Sequence, residues 1–411
     1  MLKLSRREFG GLAIAAVSGP GRLAAATGIG DTLREGLERR RIPAAAAMVA
    51  TLHKTVYEGG FGYRDSASGL VVKTNSIFRI ASMTKAITTA AAMQLVEQGK
   101  LQLSRPVGEY LPELARLEVL EGFDQAGNPI LRPAQTPVLL KHLMTHTSGF
   151  VYDIWDAVLA RYNRVTNGGN PPGTPAAVSP LRFEPGTRWQ YGTGIDWTGR
   201  LVETISGLTL EQYFQRNILQ PLGMKDTSYI LPEEKFERLV STCRRQPDGS
   251  LKEDARSLPA APKEFNGGGG LYSTVEDYTR FLQMILRKGR CAARERILSA
   301  ESVRLMSTNQ IGPLNVQKLI STDHSVSEDV EMHPGAMDKY SYGFLLNPAP
   351  YPGGRSAGSL GWAGIENTFY WIDPRRGACA VIMMQYLPFV DQEAMGLLRD
   401  FERSVYQNLD G

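Results

Sequence analysis

A serine and a lysine three residues apart have the spacing of a nucleophile and its base. Ser82 and Lys85 lie in the stretch from Phe78 to Lys100, where a helical pattern begins at Ser82 and Gly99 offers a C-terminal stop. Side chains three residues apart share one face of a helix. A serine hydroxyl is a weak nucleophile until a base takes its proton, and a neutral amine can do that. The pair therefore has the chemistry needed to attack a carbonyl carbon.

A Ser-x-x-Lys pattern is short enough to occur by chance in a chain of 411 residues. The alternative is an N-cap serine followed by a solvated lysine. If the pair is catalytic, the backbone N–H of Ser82 would face the developing oxyanion at the positive end of the helix dipole. Apolar residues at three- and four-residue spacing predict that one face of this helix is buried. Residues elsewhere in the chain must decide between the two interpretations.

A tyrosine in a turn is the first candidate partner. Tyr191 is followed by Gly192 and Thr193 and precedes a predicted helix over residues 195–205. A phenol near a cationic lysine loses its proton more readily, so Tyr191 has the chemistry of a second proton carrier. A packing role is the alternative for a tyrosine just before a helix.

Two glycines interrupt a strand predicted over residues 359–365. Glycines inside a strand often mark the place where another backbone or a ligand approaches closely. If this strand edge lies beside Ser82, the N–H of Ile365 would be a second oxyanion donor. We therefore expect Trp362, Gly364 and Ile365 to form the substrate-binding edge of the site.

Together these residues resemble the three motifs of serine β-lactamases and penicillin-binding proteins. The motifs read Ser82-Met83-Thr84-Lys85, Tyr191-Gly192-Thr193 and Trp362-Ala363-Gly364, in the same order and with similar spacing. In detail the chain is most similar to the family VIII carboxylesterases, whose third motif has tryptophan where β-lactamases have lysine. A lovastatin-forming acyltransferase is similar along the same stretches. The resemblance covers nearly all of residues 27–411.

The resemblance implies that Ser82 is the nucleophile, Lys85 its base and Tyr191 an aid to proton transfer to the leaving group. The N–H groups of Ser82 and Ile365 would hold the oxyanion. In two departures from the β-lactamase pattern, no Lys-Thr-Gly occurs in the chain and Thr193 replaces the usual asparagine. Without the motif lysine, a cation for the carboxylate of a β-lactam or peptide is missing. We expect an esterase for short- to medium-chain acyl groups, with weak β-lactamase activity at most.

Three other functions share this constellation. An acyltransferase would pass the acyl group to a small-molecule alcohol through the same acyl-enzyme. A β-lactamase or D-Ala peptidase would act despite the missing lysine. A binder or sensor on the same fold would be acylated without turnover, although the presence of all three polar motif residues favours an enzyme.

The first 26 residues differ from the rest of the chain. Lys3, Arg6 and Arg7 form a basic start that resembles a twin-arginine export signal. The apolar run over residues 12–17 is too short to span a bilayer, and residues 24–26 are a small-residue cleavage site. We expect the protein to be exported to the periplasm or secreted, and the signal to be removed from it. The alternative is a disordered or helical extension of a cytoplasmic enzyme.

The composition is that of an ordinary soluble globular protein, with 42% hydrophobic and 21% charged residues. The formal net charge is +4, and residues 1–26 carry four basic side chains and one acidic one, so the remainder has a charge of +1. A nearly neutral chain without lysine or arginine blocks is not expected to bind nucleic acid or anionic membranes. A small-molecule ester is the expected partner.

Metal and cofactor chemistry are not expected. Three widely spaced cysteines contain no Cys-x-x-Cys pair, which is neither a disulfide framework nor a zinc signature. His142 and His146 lie four residues apart on a predicted helix, but the glutamate of a His-Glu-x-x-His motif is replaced by Leu143. We interpret both histidines as structural. Ser356 fits a Gly-x-Ser-x-Gly elbow only by chance, because no histidine follows it in the chain.

Strand-like segments cluster at the two ends of the chain. The predicted strands cover residues 44–52, 55–61, 342–346, 359–365, 368–372 and 378–385. The predicted helices cover residues 31–41, 136–147, 195–205, 210–222, 274–288, 299–308 and 393–409. Strands at both termini and few between them predict one sheet assembled from the two ends, with helices packed on it.

This distribution predicts an α+β fold of two domains. Residues 27–80 and 339–411 would form a discontinuous α/β domain, and residues 81–338 a large, mostly helical domain inserted between them. The resemblance implies that this is the β-lactamase/transpeptidase-like fold. Two unusually long loops, residues 167–180 and 311–339, would line the mouth of the substrate pocket, and the alternative is that they are ordinary surface loops.

Overall fold

The computed structural model describes residues 27–166, 178–293 and 295–410. The export signal predicted in residues 1–26 lies outside these ranges, as does most of the loop predicted over residues 167–180. Within the described ranges, no helix combines the length and the apolar character that crossing a membrane requires.

The elements follow in chain order. The strands are β1 Ala44–Thr51, β2 Thr55–Gly62, β3 Phe78–Arg79, β4 Glu118–Phe123, β5 Pro129–Pro133, β6 Cys243–Arg245, β7 Leu251–Glu253, β8 Tyr272–Ser273, β9 Lys339–Tyr340, β10 Leu345–Asn347, β11 Ser359–Gly364, β12 Thr368–Asp373, β13 Ala378–Met383 and β14 Tyr386–Leu387. The helices are α1 Thr27–Arg40, α2 Thr84–Glu97, α3 Leu140–Met144, α4 Ala157–Val165, α5 Gly194–Ser206, α6 Leu210–Phe214, α7 Gln220–Leu222, α8 Glu233–Phe236, α9 Val275–Leu286, α10 Ala300–Met306 and α11 Gln392–Asp410.

One seven-stranded antiparallel sheet is built from both ends of the chain. Its strand order is β2-β1-β13-β12-β11-β10-β9, so β1 from the N-terminal part pairs with β13 from the C-terminal part. The six residues of each central strand, β11, β12 and β13, are all buried. Strands buried on both faces need a covering layer on each side. The α+β, β-lactamase/transpeptidase-like fold expected from the sequence is confirmed.

Neighbouring residues of β12 show which helices cover the two faces. The ring of Tyr370 contacts that of Tyr278 in α9, with ring centroids 5.1 Å apart. The next ring along the strand, Trp371, contacts Phe401 in α11 at 5.5 Å. Successive side chains of a strand point to opposite faces, so α9 and α11 cover opposite faces. The helix α9 lies on the sheet although it belongs to the range predicted for the helical domain, and the two-domain division stays a prediction.

The helix α2 carries the Ser-x-x-Lys segment and is buried on all sides. Every residue from Thr84 to Leu95 is buried, so the prediction of a single buried face is wrong. Alanine and threonine side chains dominate this stretch, and their small size lets other elements approach closely. A Cβ atom placed on Gly343 would lie 2.8 Å from Thr89 Oγ1. The site helix is therefore held from several directions, which suits a rigid nucleophile.

Several local predictions were wrong for identifiable reasons. The helix predicted over residues 136–147 is limited to α3, and the strand predicted over residues 342–346 begins only at Leu345, because residues 342–344 form a turn. Gly343 has a φ of +83° in that turn, which separates β9 from β10. The hairpin β4–β5 and the short pair β6–β7 were not predicted, because their residues lack a sustained alternation of apolar and polar side chains.

Candidate active site

The nucleophile lies in a strained turn before the central helix. Residues 81–83 form one turn of 3-10 helix, and α2 begins at Thr84, two residues later than the sequence predicts. Ala81 has a φ of +41°, a left-handed conformation that is unfavourable for a residue with a Cβ atom. Such strain persists where the surrounding structure imposes it, often at functional sites. The turn places Ser82 Oγ 3.1 Å from Lys85 Nζ.

Lys85 is fully buried, and its amine makes three hydrogen bonds. Nζ donates to Ser82 Oγ at 3.1 Å, to Tyr152 Oη at 3.0 Å and to the carbonyl oxygen of Gly268 at 2.6 Å. Three acceptors match the three N–H groups of an ammonium. A buried lysine that is neither solvated nor free to rotate excludes the alternative of an exposed lysine after an N-cap serine.

A phenol and a carboxylate continue this network. Tyr152 Oη lies 3.3 Å from Asp196 Oδ2, and the backbone N–H of Gly268 donates to Asp196 Oδ1 at 3.0 Å. Burial raises the pKa of Asp196 above its usual value, and the charge of Lys85 opposes that shift. Burial also raises the pKa of Tyr152 well above 10, so this phenol stays protonated. Tyr152 therefore donates its proton to Asp196 and accepts from Lys85.

This arrangement orients the lone pair of a neutral Lys85. The Gly268 carbonyl can only accept a hydrogen bond, so one N–H of the amine must point to it. The proton of Tyr152 is engaged by Asp196, so a second N–H points to the phenol oxygen. The remaining position faces Ser82, whose hydroxyl can supply a proton to a lone pair. The geometry thus directs the basic electron pair at the nucleophile.

Tyr191 packs beside Tyr152 near the same amine, and the two ring centroids are 5.2 Å apart. The ring centroid of Tyr191 is 5.0 Å from Lys85 Nζ, and its oxygen accepts a hydrogen bond from Trp362 Nε1 at 3.3 Å. An N–H donated to a phenol oxygen stabilises negative charge on that oxygen. Trp362 therefore contacts Tyr191 directly. It occupies the position of the third motif at which β-lactamases have lysine.

The third motif reaches the nucleophile through a glycine. A Cβ atom placed on Gly364 would lie 2.4 Å from the carbonyl oxygen of Ile80, two residues before Ser82. Only glycine lets β11 approach the turn this closely. The edge of β11 therefore lies beside the turn that carries Ser82, as the sequence predicted. Ile365 and Ser82 line one cavity. That their N–H groups form the oxyanion hole stays a prediction.

The cavity at Ser82 is small and almost entirely apolar. It has a volume of about 20 Å³ and is lined by Ser82, Trp155, Tyr191, Leu319, Val330, Met332, Trp362, Ala363, Ile365 and Phe389. This is room for one or two water-sized groups. Three of these residues, Leu319, Val330 and Met332, belong to the loop over residues 311–339, and whether this loop contacts substrate stays a prediction. Trp155, which lines the cavity, also contacts this loop, because its Nε1 donates a hydrogen bond to Ser327 Oγ at 3.2 Å.

The two histidines are structural, in agreement with their interpretation from the sequence. His146 is buried against the rings of Tyr191, Tyr340 and Trp362, and burial lowers its pKa well below the usual value. Burial likewise lowers the pKa of His142 to about 4. In the described part of the chain, no three His, Cys, Asp or Glu side chains are grouped so that they could hold a metal ion.

Sequence reasoning missed three residues that contact Lys85 or support it. Tyr152 is one of 16 tyrosines, and nothing in its neighbourhood distinguishes it. Asp196 follows Tyr191 by five residues, in the first turn of α5, where a buried carboxylate has no sequence signature. Gly268 is one of four consecutive glycines, and that run is a usable signal of close approach. A Cβ atom placed there would lie 2.5 Å from the Asp196 carboxylate.

Comparison with known proteins supports the fold. Residues 29–402 match the family model described as Beta-lactamase. The monacolin J acid methylbutanoyltransferase of Aspergillus terreus is 31% identical, covering 91% of this chain and 94% of the relative. The lovastatin esterase of Penicillium rubens is 31% identical, covering 86% and 91%. The solved structure of simvastatin synthase from Aspergillus terreus (LovD6 mutant) has a TM-score of 0.80 and 31% identity, covering 93% and 95%.

A match over nearly the whole chain and a shared fold agree with a Ser-x-x-Lys pair whose lysine is buried and whose serine lies at a strand edge. The two named relatives differ in whether they transfer an acyl group or hydrolyse an ester, so they leave that choice open. The chain belongs to the Beta-lactamase family, among the serine hydrolases and acyltransferases of that fold.

Proposed function

We propose that the protein is a carboxylesterase that cleaves esters of short- to medium-chain acids through an acyl-enzyme on Ser82. The observation that carries this proposal is the contact of Ser82 Oγ with a fully buried Lys85 amine at the wall of an apolar cavity. An apolar cavity whose described lining residues include no cation suits a neutral ester better than a carboxylate-bearing β-lactam.

The proposed reaction has two halves. In acylation, neutral Lys85 takes the proton of Ser82 as Oγ attacks the ester carbonyl, and the N–H groups of Ser82 and Ile365 hold the oxyanion. Tyr191 then protonates the departing alkoxide while the indole N–H of Trp362 supports charge on the phenol oxygen. In deacylation, the same groups activate water and return the proton to Ser82.

The test of substrate class is the hydrolysis of p-nitrophenyl acetate, butyrate and octanoate beside nitrocefin. We expect acetate and butyrate to be turned over faster than octanoate, because the cavity at Ser82 has a volume of only about 20 Å³. Nitrocefin should be cleaved slowly. Dominant nitrocefin turnover would identify a β-lactamase instead.

Replacing Trp362 with lysine should raise nitrocefin turnover. A lysine at this position would supply the cation that the carboxylate of a β-lactam requires. The control is Trp362→Phe, which also removes the indole N–H to Tyr191 but adds no charge. Both variants should lose ester turnover, and only the lysine variant should gain nitrocefin turnover. An unchanged nitrocefin rate in a folded Trp362→Lys variant would contradict this role of the third motif.

Replacing Asp196 with asparagine should move the acid limb of the pH profile of kcat/KM to lower pH. Lys85 must be neutral to act as base, and an anionic Asp196 favours its ammonium form. Removing that charge leaves more neutral amine at a given pH below the optimum. The matched control is Asp277→Asn on α9, another buried carboxylate with a raised pKa, about 6. An acid limb at the same pH in Asp196→Asn and wild type would contradict the coupling.

An acyltransferase is the second candidate function. It is favoured by the name of one relative, a methylbutanoyltransferase. Both candidates share the acyl-enzyme and differ in whether water or an alcohol accepts the acyl group. Adding a small-molecule alcohol during turnover of p-nitrophenyl butyrate separates them. If the butyryl group is transferred to the alcohol faster than butyrate is released, the protein is an acyltransferase.

A further inference from the structure

The two predicted oxyanion donors come from separate segments of the chain. The N–H of Ser82 follows β3, which ends at Arg79, and the N–H of Ile365 lies in the turn between β11 and β12. An oxyanion hole depends on donors that are already in place, because donors that must first reorganise stabilise the transition state less. The fold therefore has to fix the distance between these two segments.

The side chain of Gln385 bridges the two segments. Gln385 lies between β13 and β14, and its Oε1 accepts a hydrogen bond from the backbone N–H of Arg79 at 2.8 Å. Its amide Nε2 donates to Oε2 of Glu366, the residue after Ile365. A backbone N–H can only donate and a carboxylate can only accept, so a single orientation of the amide satisfies both partners.

Thr242 forms a second bridge between the same two residues. Its hydroxyl accepts from Arg79 Nη1 at 2.9 Å and donates to Glu366 Oε1 at 3.3 Å. The two bridging residues are held side by side, because β6 pairs with β14 and the N–H of Cys243 donates to the backbone carbonyl of Gln385 at 2.9 Å. Gln385 is 3% exposed and Thr242 is 5% exposed, so water competes little for these hydrogen bonds.

We propose that Gln385 and Thr242 are positioning residues that fix the separation of the two oxyanion donors. The inference rests on the proposed esterase function and adds to it two residues that do not line the cavity at Ser82. The two segments also pack tightly against each other at Gly364 and Ile80. That contact limits how closely the segments approach, and the two bridges oppose their separation. Loss of a bridge should therefore loosen one oxyanion donor relative to the other.

The effect of a bridge should be specific to the transition state. Gln385→Met keeps the length of the side chain and removes both of its hydrogen bonds. We expect kcat for p-nitrophenyl butyrate to fall by at least about tenfold, and KM to stay within about twofold of the wild-type value. The reason is that the carbonyl oxygen of the bound ester carries little charge until Ser82 attacks.

A trifluoromethyl ketone reports on the oxyanion donors without turnover. The compound 1,1,1-trifluoropentan-2-one carries the butyryl chain, and Ser82 Oγ would add to its carbonyl carbon while the serine proton passes to Lys85. The electron pair of the broken C–O π bond goes to the ketone oxygen, which becomes an oxyanion. Its inhibition constant in Gln385→Met should rise by about the factor by which kcat falls. An unchanged inhibition constant, or a kcat within about twofold of the wild-type value, would overturn the inference.

The matched control is Gln94→Met. Gln94 is a buried glutamine of α2, and its Nε2 donates to the carbonyl oxygens of Asn217 and Ile297 at 3.1 and 2.9 Å. This variant also loses two hydrogen bonds between segments, but these partners belong to neither oxyanion segment. Its kcat and inhibition constant should stay near the wild-type values. Equal losses in the two glutamine variants would show a general effect of stability and overturn the inference.

Thr242 supplies a second pair of variants, which decides the question if Gln385→Met does not fold. Thr242→Val keeps the shape of the side chain without its hydroxyl and should raise the inhibition constant of the ketone about threefold or more. Thr242→Ser keeps the hydroxyl and should bind the ketone as wild type does. Equal inhibition constants in the valine and serine variants would overturn the inference.

The outcomes separate this inference from the proposed function. If wild type and Gln385→Met hydrolyse p-nitrophenyl butyrate equally well, the esterase stands and the positioning role fails. If no ester is hydrolysed, the esterase fails. The affinities of wild type and Gln385→Met for the trifluoromethyl ketone, measured by fluorine NMR, then still decide the positioning role.

Discussion

Replacing Ser82 with alanine is expected to lower kcat for p-nitrophenyl butyrate on the order of 10⁴-fold or more. The substitution removes the atom on which the proposed acyl-enzyme forms, and in the described part of the chain no other serine or threonine hydroxyl hydrogen-bonds the Lys85 amine. Tyr152 is the other side-chain oxygen on this amine, and it already donates its proton to Asp196. A loss of 10⁴-fold corresponds to about 5.5 kcal/mol of transition-state stabilisation.

The matched control is Ser356→Ala. Ser356 is the centre of the Gly-x-Ser-x-Gly pattern, and its neighbour Arg355 is held in a buried ion pair with Glu402, with 2.8 Å between Arg355 Nη2 and Glu402 Oε2. Its segment belongs to the packing of α11 against the sheet and does not line the cavity at Ser82. Activity near that of wild type is expected. Loss of activity in Ser356→Ala together with retained activity in Ser82→Ala would identify Ser356 as the nucleophile.

Replacing Lys85 is expected to lower the acylation rate by about 10³-fold, the middle of the range of effects of a general base. The amine lies 3.1 Å from Ser82 Oγ, and among the residues that the structure describes no other side chain hydrogen-bonds that hydroxyl. The measurement is the burst of p-nitrophenol release in the first turnover, which reports acylation apart from product release. A Lys85→Ala variant that keeps most of its burst rate would contradict the role of the lysine.

Burial makes the choice of substitution important. Lys85→Ala leaves a cavity and removes the hydrogen-bond donor from three acceptors, one of them the buried carbonyl of Gly268, so this variant should also lose stability. Lys85→Met keeps the length of the stem without the amine and should unfold at a temperature closer to that of wild type. Both variants should be equally inactive. Activity that follows melting temperature instead would point to a structural role for the lysine.

The sequence predicted those features of the site that depend on local pattern. Ser82 and Lys85 share one turn, and their spacing alone brings the side chains together. Gly364 indicated that another segment of backbone approaches β11 closely, because glycine inside a strand often marks such a contact. The sheet was predicted because strands with buried faces must pair, and the strand-like segments lay at the two ends of the chain.

The remaining features depend on tertiary contacts that no local pattern encodes. Tyr152, Asp196 and Gly268 come from three separate segments and meet only around the Lys85 amine. The amphipathic interpretation of α2 was wrong because alanine and threonine can be buried on every side of a helix without a distinctive period. The positive φ of Ala81 could not be predicted from the sequence, because the folded environment imposes that strain.

The central claim is that an acyl group is attached to Ser82 during turnover. The most direct measurement is the mass of the protein quenched early in the reaction with p-nitrophenyl butyrate, followed by peptide mapping. The account predicts one added butyryl group, on the peptide that contains Ser82, and none in Ser82→Ala. A butyryl group on any other residue, or a Ser82→Ala variant that is still acylated during turnover, would contradict it.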